Sequence, residues 1–528
     1  MKSYSVLLAF ILTATSVVAQ TETNTAVRPA DNNAPATPAA ATQTDMNTMA
    51  ATTPARAMSL EDCIQQALQH NLDVQIERYA PQISLYNLRS DYGGYDPTFN
   101  ISGQHQYNDT GPDFQNAVHI AGTSYEENSF NSGLNGSMPW GMTYNFSGNV
   151  SHTYDYNLNS PIFTNSDNSG GQIGVSLTQP LLKNLWVDQT RLNIRVGKNR
   201  LQYSEQGLRL QVITSVTAVE NAYYELIYAQ ENVQVQQEAL ILAQTQLDQD
   251  RQRVQIGTLA QLDVQQDEAQ VATSKANLIA AQYTLATDQN TLKNLLTDDY
   301  SHWHDTDIQP TATITNAPLQ LFDLQDSWSK GMAERPDLLQ AKLNVEQQGI
   351  QLKFYYNQLF PELDLIGTYG FNGTGEQFRD TFNQFGEGSR PFYSYGAQLS
   401  VPLSNVGPRN QYKAGKVTMQ QLLLQLKQFE QNVMVEIDNA VKQAQSAHES
   451  VGATRQARIY AEAALDAEQK KYAVGKSTTF TVLQLQNTLT ADRGQEIRAL
   501  ANYYEALVNL SQQEGSTLER NHINIEVK

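Results

Sequence analysis

A proline-free stretch, residues 190–296, constrains the fold of this chain more than any other feature. Before Gly257, its apolar residues alternate between steps of four and three at Val212, Val216, Val219, Tyr223 and Leu226. Such spacing keeps a narrow apolar seam on one helix face, as in coiled coils. At about 1.5 Å per residue, the limb before Gly257 would extend roughly 100 Å, too far for a compact domain. Because Gly257 suits a C-terminal cap and reversal, we predict a very long antiparallel helical hairpin.

The first residues predict export. Lys2, the apolar run 6–18 and small residues before Gln20 are typical of a secretory signal peptide, here residues 1–19. Residues 20–57 are rich in Thr, Ala, Asn and Pro and are predicted to be a disordered tail. After the signal, no run approaches the roughly 18 apolar residues that a membrane-spanning helix needs. Any passage through a bilayer would therefore use strands.

Composition and motifs exclude several function classes. The net charge of −19 argues against nucleic acid as a partner. Cys63 is the single cysteine, which excludes an intrachain disulfide and a cysteine-based metal cluster. His302 and His304 lie beside Asp305 without a third ligand at helical spacing. Motifs for phosphate-binding loops, serine nucleophiles and zinc proteases are also lacking. We therefore predict no enzymatic activity, no cofactor and no metal.

Strict alternation of apolar and polar residues predicts strands at 98–108 and 171–181. About ten residues is the length that a tilted strand needs to cross a bilayer. Tyr and Phe are frequent in these segments, as in the aromatic girdles of outer-membrane barrels. A further alternating pair predicts an additional hairpin at 128–155. The sequence leaves open whether this hairpin lengthens a barrel wall or projects beyond it.

The chain is internally duplicated. Residues of the first half recur in the same order in the second: Leu60 with Leu324, Asp73 with Asp337, Pro97 with Pro361, Gly174 with Gly396, Pro180 with Pro402, Asn221 with Asn439, and Gly257 with Gly475. A constant order across helix, breaker and strand indicates two structural repeats. Each half then contains short helices, strands, and two long helices joined by a glycine reversal.

The duplication sets the predicted boundaries. The first repeat covers residues 58–300 and ends in the long helical hairpin 190–296. A connector at 301–323 leads to the second repeat at 324–513. Within that repeat we predict helices at 324–358, strands at 362–372 and 392–402, and a long helical hairpin at 408–512. Residues 514–528 form a C-terminal tail.

A barrel built from this chain cannot close alone. Four strands leave open edges, which lipid does not tolerate. The remaining strands must come from other copies, and cyclic symmetry is the default arrangement. We therefore predict an α+β membrane protein in which a homo-oligomer shares one transmembrane β-barrel. Three protomers with at least four strands each would leave an opening.

Several short motifs carry a family resemblance over residues 60 to about 512. They are Leu60-Glu61-Asp62 with Ala67, Gln179-Pro180-Leu181-Leu182, Val219-Glu220-Asn221-Ala222-Tyr223, Val254-Gln255-Ile256-Gly257 and Tyr472-Ala473-Val474-Gly475. In their duplicated order the chain resembles the TolC-like outer-membrane efflux channels. The resemblance implies a homotrimer, a β-barrel in outer-membrane lipid, and a long α-helical coiled-coil barrel through the periplasm. It also implies docking to a periplasmic adaptor and an inner-membrane pump, with passive conduction of the pump's substrate.

The resemblance places adaptor docking at the two helical reversals. The residues concerned are Ile256, Gly257, Thr258 and Leu259 at the first, and Val474, Gly475, Lys476 and Ser477 at the second. Thr258 stands where the family pattern has Leu. The turn glycines are also needed simply to reverse the chain.

The resemblance also suggests a gate, with departures from the family pattern. Asp263 and Tyr472 are kept, whereas the family's pair of aspartates falls on Thr481 and Gln484. Its arginine at the reversal falls on Ser477, and Lys476 is a candidate replacement opposite Asp263. Without an acidic ring, strong divalent-cation block of the entrance is not expected.

Two other functions remain open. One is the outer-membrane channel of type I protein secretion. The other, of a different class, is a structural or adhesive trimeric surface stalk. The duplication argues against the stalk, because such a stalk needs one parallel helix per chain rather than two antiparallel hairpins.

Overall fold

The computed structural model describes residues 55–111, 113–115, 118–120, 123–157, 166–314, 316–318 and 322–524. The predicted signal peptide and most of the predicted N-terminal tail lie outside these residues. The described chain is mostly helical and contains one large sheet. No helix in the described part of the chain is both long and apolar enough to cross a membrane.

The secondary structure alternates between strands and helices in two rounds. The strands are β1 (Ala55–Met58), β2 (Thr98–Thr110), β3 (Asp113–Gln115), β4 (Val118–Ile120), β5 (Thr123–Ser137), β6 (Thr143–Asn157), β7 (Ser166–Pro180), β8 (Asp307–Pro310), β9 (Glu362–Gly375) and β10 (Pro391–Ser400). The helices are α1 (Leu60–His70), α2 (Leu72–Glu77), α3 (Tyr79–Tyr92), α4 (Gln189–Gln255), α5 (Gln261–Leu296), α6 (Tyr300–Trp303), α7 (Leu324–Glu334), α8 (Pro336–Asn357), α9 (Phe378–Glu387), α10 (Val406–Ala473), α11 (Thr479–Glu514) and α12 (Thr517–Arg520).

Two long helical hairpins dominate the fold. Helices α4 and α10 have 67 and 68 residues, which corresponds to roughly 100 Å each. Each folds back onto a 36-residue partner, α5 or α11. Helix α4 also packs against α11, so the two hairpins lie side by side, and α8 packs against both α4 and α10. The seam residues Val212, Val216, Val219, Tyr223 and Leu226 are buried.

Capping groups fix where the long helices begin and end. The side chain of Asp188 accepts a hydrogen bond from the Arg191 backbone N–H and starts α4. At the other end, Gly257 has φ +77°, and the N–H of Thr258 donates to the carbonyl of Arg253. Gly475 has φ +73° and a matching bond from Lys476 to Lys471. Both reversals are therefore left-handed caps of the Schellman type.

Six long strands form one antiparallel sheet in the order β10-β9-β7-β6-β5-β2. Strands β5 and β6 contain the additional hairpin, and they pair within this sheet rather than standing apart from it. The additional hairpin therefore adds two strands to this sheet. Helix α9 lies in the connection between β9 and β10 and packs on β9, β7 and β6.

Two segments differ from the sequence prediction. Residues 55–57, placed in the tail, belong to β1, which pairs in parallel with β8 in the connector. The Tyr223 hydroxyl donates to the Met58 carbonyl, and the Arg56 guanidinium lies over the Trp303 ring, so this strand is fastened to α4 and α6. The helical segment 324–358 is divided at Arg335, which is extended because Pro336 follows it.

Candidate functional site

The large sheet has one apolar face. A row of directly paired residues crosses all six strands, and we call it the apolar row: Phe99, Leu134, Phe146, Val175, Tyr369 and Tyr393. On this face Tyr393 is 74% exposed and Tyr395 is 87% exposed. Large apolar side chains in such numbers on an exposed face favour contact with lipid over contact with water.

The opposite face is polar. One residue earlier on β2, the neighbouring row consists of Thr98, Asn135, Asn145, Ser176, Thr368 and Ser394, which we call the polar row. The hydroxyl of Thr368 lies 3.4 Å from that of Ser176, and Asn100 donates to Asn135 at 3.1 Å. The row itself contains no charged residue and offers neutral hydrogen-bonding groups, whereas Glu127 and Asp364 lie on the same face further along their strands. A sheet with these two faces can separate lipid from water.

Both outer strands of this sheet have an open edge. Within the described residues, β2 pairs only with β5, and β10 pairs only with β9. Each therefore presents a row of backbone N–H and C=O groups without strand partners. Such groups cannot be left unpaired in lipid, so the sheet is incomplete as a membrane wall.

The two reversals present the predicted docking residues outward. Ile256 is 73% exposed and Val474 is 69% exposed, although both are large and apolar. Thr258 and Lys476 are exposed as well. Leu259 is half-buried, and the Ser477 hydroxyl donates to Glu468 at 2.6 Å. The left-handed turns thus carry exposed apolar side chains, a surface suited to a protein partner.

Behind the reversals, Asp250 joins the two hairpins. Its carboxylate is fully buried and accepts hydrogen bonds from the Tyr472 hydroxyl at 2.7 Å and the Gln246 amide at 2.8 Å. The Thr479 hydroxyl lies 2.9 Å from that of Tyr472, and the Arg253 guanidinium lies over the Tyr472 ring. Burial and the hydrogen bond to Asp250 raise the pKa of Tyr472 to about 12, so the phenol remains a donor.

A second carboxyl group lies beside this cluster. Asp267 on α5 is fully buried, and neither of its carboxyl oxygens has a hydrogen-bond partner among the described residues. Burial, together with the nearby carboxylates of Asp250 and Asp263, raises the pKa of Asp267 to about 7. We call Asp250 and Asp267 the tip acid pair.

The predicted gate residues are only partly brought together. Tyr472 pairs with Asp250 on α4 and not with Asp263, which is half-buried at the start of α5. The Thr481 hydroxyl lies 3.0 Å from that of Thr478. Gln484 is exposed. Near the reversals, Tyr472 therefore connects the hairpins through Asp250, a residue that the sequence prediction did not include.

The signal for the tip acid pair was present in the sequence. The seam of α4 passes through Ala243 and Leu247, and the next step of three reaches Asp250. In α5 the same step leads from the buried Val264 to Asp267. A carboxylate at a seam position is costly unless it is paired, so both positions indicate a specific role.

The described residues do not suggest a metal centre. No group of three or more His, Cys, Asp or Glu in this part of the chain could hold a metal ion. His302 forms a hydrogen bond with Asp299 at 2.5 Å, and His304 contacts the Ser301 carbonyl at 2.6 Å.

Comparison with known proteins gives concordant matches. A sequence-family model described as "Outer membrane efflux protein" matches residues 145–297 and 329–516. The outer membrane protein TolC of Escherichia coli (strain K12) is 26% identical over 324 residues, covering 60% of this chain and 63% of TolC. The outer membrane efflux protein BepC of Brucella suis biovar 1 is 24% identical over 322 residues, covering 61% of this chain and 67% of BepC. The chain thus spans less than two thirds of the length of TolC.

Among solved structures, the outer-membrane channel OprN superposes with a TM-score of 0.64 at 15% identity. This superposition covers 87% of the present chain and 90% of OprN. At that identity the likeness shows a shared fold.

Proposed function

The chain belongs to the TolC-like outer membrane efflux protein family, and from this premise we propose that it is the outer-membrane channel of a multi-component efflux system. In this proposal it conducts substrates passively from an inner-membrane pump and a periplasmic adaptor to the exterior. The observation that carries the proposal is a two-faced sheet continuous with helices of roughly 100 Å. A conduit from the periplasm through a bilayer needs both parts in one chain.

The proposed assembly is a homotrimer. Because β2 and β10 have open edges, β2 of one copy can pair with β10 of the next until the sheet closes. Three six-stranded sheets would give a barrel of roughly eighteen strands, a size that leaves an aqueous channel. The apolar row would face outer-membrane lipid, and the polar row would line the channel.

The long hairpins would continue this channel into the periplasm. Their helices pack side by side, and a trimer would arrange them as a closed α-helical barrel. The pump supplies the energy, and this chain supplies a polar wall near the exit. Export by the predicted signal peptide, residues 1–19, belongs to the same proposal.

The reversals are the proposed docking sites for the adaptor. Support comes from the exposed Ile256 and Val474 beside rigid left-handed turns. Thr258→Cys and Lys476→Cys should crosslink to a co-expressed adaptor. As a matched control, Ser446→Cys on the middle of α10 should not. Crosslinking at the control but not at the reversals would contradict this assignment.

Single-channel recording tests the proposed function. Purified full-length protein in planar bilayers should give discrete conductance steps that last for the lifetime of the inserted trimer. A trimer that inserts into vesicles but never conducts would contradict the channel proposal.

Type I protein secretion is the second candidate, because the same wall would serve a protein cargo. Restoration of drug resistance in a strain that lacks its own outer-membrane channel favours efflux, whereas restored export of an unfolded protein favours secretion. A surface stalk predicts neither result.

A further inference from the structure

We propose that Asp250 and Asp267 share one proton near neutral pH, and that this proton holds the ends of α4 and α5 together and stabilises the tip. The proposal concerns a proton-binding site in the chain itself. Only its effect on conductance rests on the proposed channel function.

The geometry around Asp267 provides no hydrogen-bond donor for its carboxyl group among the described residues. Asp250 already accepts hydrogen bonds from Tyr472 and Gln246. Asp267 is fully buried, and both of its carboxyl oxygens are without a partner among the described residues. A buried carboxylate without partners is very unfavourable, whereas a protonated Asp267 can donate to Asp250. One proton therefore satisfies an otherwise unpaired buried group.

The surrounding charges favour the same state. Arg253 on α4 lies 3.7 Å from Asp250 and is the positive group that faces the pair. Asp263 on α5 adds a negative charge, and α10 contributes the neutral phenol of Tyr472. Helix α11 contributes the uncharged Thr479. With both acids ionised, three carboxylates would face one guanidinium, which is repulsive in a buried site.

A proton fits this site better than a metal ion. Among the described residues, no set of three or more acidic, histidine or cysteine ligands is arranged around a common point. Both carboxylate oxygens of Asp250 already accept hydrogen bonds from neighbouring donors, which leaves few lone pairs to coordinate a metal ion. A shared proton needs only two oxygen atoms, as in other closely spaced carboxyl pairs.

The direction of the pH effect follows from linkage. The pKa of Asp267 is raised to about 7 in the folded tip, whereas an unperturbed Asp has a pKa of about 3.9. The folded tip therefore binds the proton more tightly than an opened tip does. The added stability is complete below about pH 4 and is lost as the pH rises through about 7.

Infrared spectroscopy can observe the proton directly. Full-length wild-type protein should show a protonated-carboxyl band that disappears with a midpoint near pH 7. Burial also raises the pKa of Glu505 to about 7, so Asp267→Asn should lose the Asp267 component of this absorption and keep the Glu505 component. Asn at this position imitates the protonated acid, so the variant is expected to fold. The control, Asp263→Asn, removes a negative charge from the same helix and should keep the band with a somewhat lower midpoint.

Hydrogen exchange measures the consequence for the tip. After correction for intrinsic exchange, the opening equilibrium at residues 246–272 should rise by up to about tenfold per pH unit between roughly pH 5 and 7. It should then level off. In Asp267→Asn the opening should stay low and independent of pH. Carboxyl absorption of undiminished size in Asp267→Asn, or a pH dependence of tip exchange that survives in this variant, would overturn the proposal.

A third measurement separates this inference from the channel proposal. If the tip is the entrance, conductance of the wild type should rise over the same pH range, and that of Asp267→Asn should not. A pH-dependent exchange pattern without a conductance change would leave the shared proton in place and reject the tip as the entrance.

Discussion

The hydroxyl of Tyr472 donates to the carboxylate of Asp250 at 2.7 Å, and this bond joins α10 to α4 through residues that lie 222 positions apart in sequence. It is a direct polar link between the end of α10 and the end of α4. The bond is buried, and its acceptor also receives Gln246. This buried bond adds to the packing of α4 against α11 and to the Gln270–Asn487 hydrogen bonds in holding the two hairpins together.

Tyr472→Phe tests this link. Removal of the hydroxyl leaves Asp250 short of one donor in a buried site, at a cost of about 1–3 kcal/mol. We expect faster hydrogen exchange at residues 246–256 and 468–486, with no change in the sheet. Tyr460→Phe removes a hydroxyl from the exposed surface of the same helix and is the control. Equal protection in the two variants would contradict a linking role for Tyr472.

The two faces of the sheet can be tested with adjacent residues of β9. Tyr369→Arg places a charge on the apolar row, which costs about 2–4 kcal/mol per site at the middle of a bilayer. Thr368→Arg places it on the polar row, where water can solvate it. We expect the first variant to reduce membrane-inserted trimer, measured by its thermal dissociation. The second should assemble and change ion selectivity. The reverse pattern would exchange the assignments of the two faces.

Substitution of Gly257 should destabilise the reversal because of its backbone conformation alone. Its φ is +77°, and a Cβ at this position would meet no atom within 4 Å. Gly257→Ala is therefore expected to destabilise the reversal by about 1–2 kcal/mol through left-handed strain, measured as local hydrogen exchange. Gly452→Ala, inside α10 and equally open, should instead stabilise its helix by up to about 1 kcal/mol. Similar effects at both glycines would contradict this explanation.

The C-terminal residues are held by a buried acid. Glu220 on α4 is fully buried and accepts hydrogen bonds from Arg520 and, at 3.2 Å, from Asn521. Arg520→Met should leave an uncompensated carboxylate and weaken the docking of α12 by up to about 3 kcal/mol. Limited proteolysis of the C-terminus should detect it. Adding Glu220→Gln should restore part of the protection, whereas the exposed Arg409→Met should have no effect.

Divalent cations test the absence of an acidic entrance ring. Because Thr481 and Gln484 are neutral, submillimolar divalent cations should leave single-channel conductance unchanged. The double variant Thr481→Asp with Gln484→Asp should introduce such a block. Strong block of the wild type would show that other carboxylates form the constriction.

Much of this architecture is encoded in local periodicity. The four-three spacing marks the residues that α4 buries, because a coiled-coil seam is a short-range property. Gly257 and Gly475 mark the reversals, since few other residues adopt positive φ without strain. Alternation from Phe99 onward likewise describes β2.

Other features depend on contacts distant in sequence. Ala55–Met58 is ordered by β8 and by Tyr223, and a segment of four residues carries no pattern that predicts either contact. In the sequence, only the spacing of Phe378, Thr381 and Phe385 indicates helix α9. The helix is stabilised by its packing on the sheet. Asp250 and Asp267 occupy seam positions, where the four-three spacing predicts apolar residues, so their contacts appear only when the helices are packed together.

The open edges of β2 and β10 have a consequence for biogenesis. A single copy cannot close a barrel. The backbone N–H and C=O groups on the open edges of β2 and β10 must therefore stay hydrated until neighbouring copies pair with them. Membrane insertion then depends on the encounter of protomers as well as on the folding of each protomer. The rate of insertion should depend on the concentration of newly synthesised chains. Any chaperone for this protein must shield the open edges of both outer strands at once.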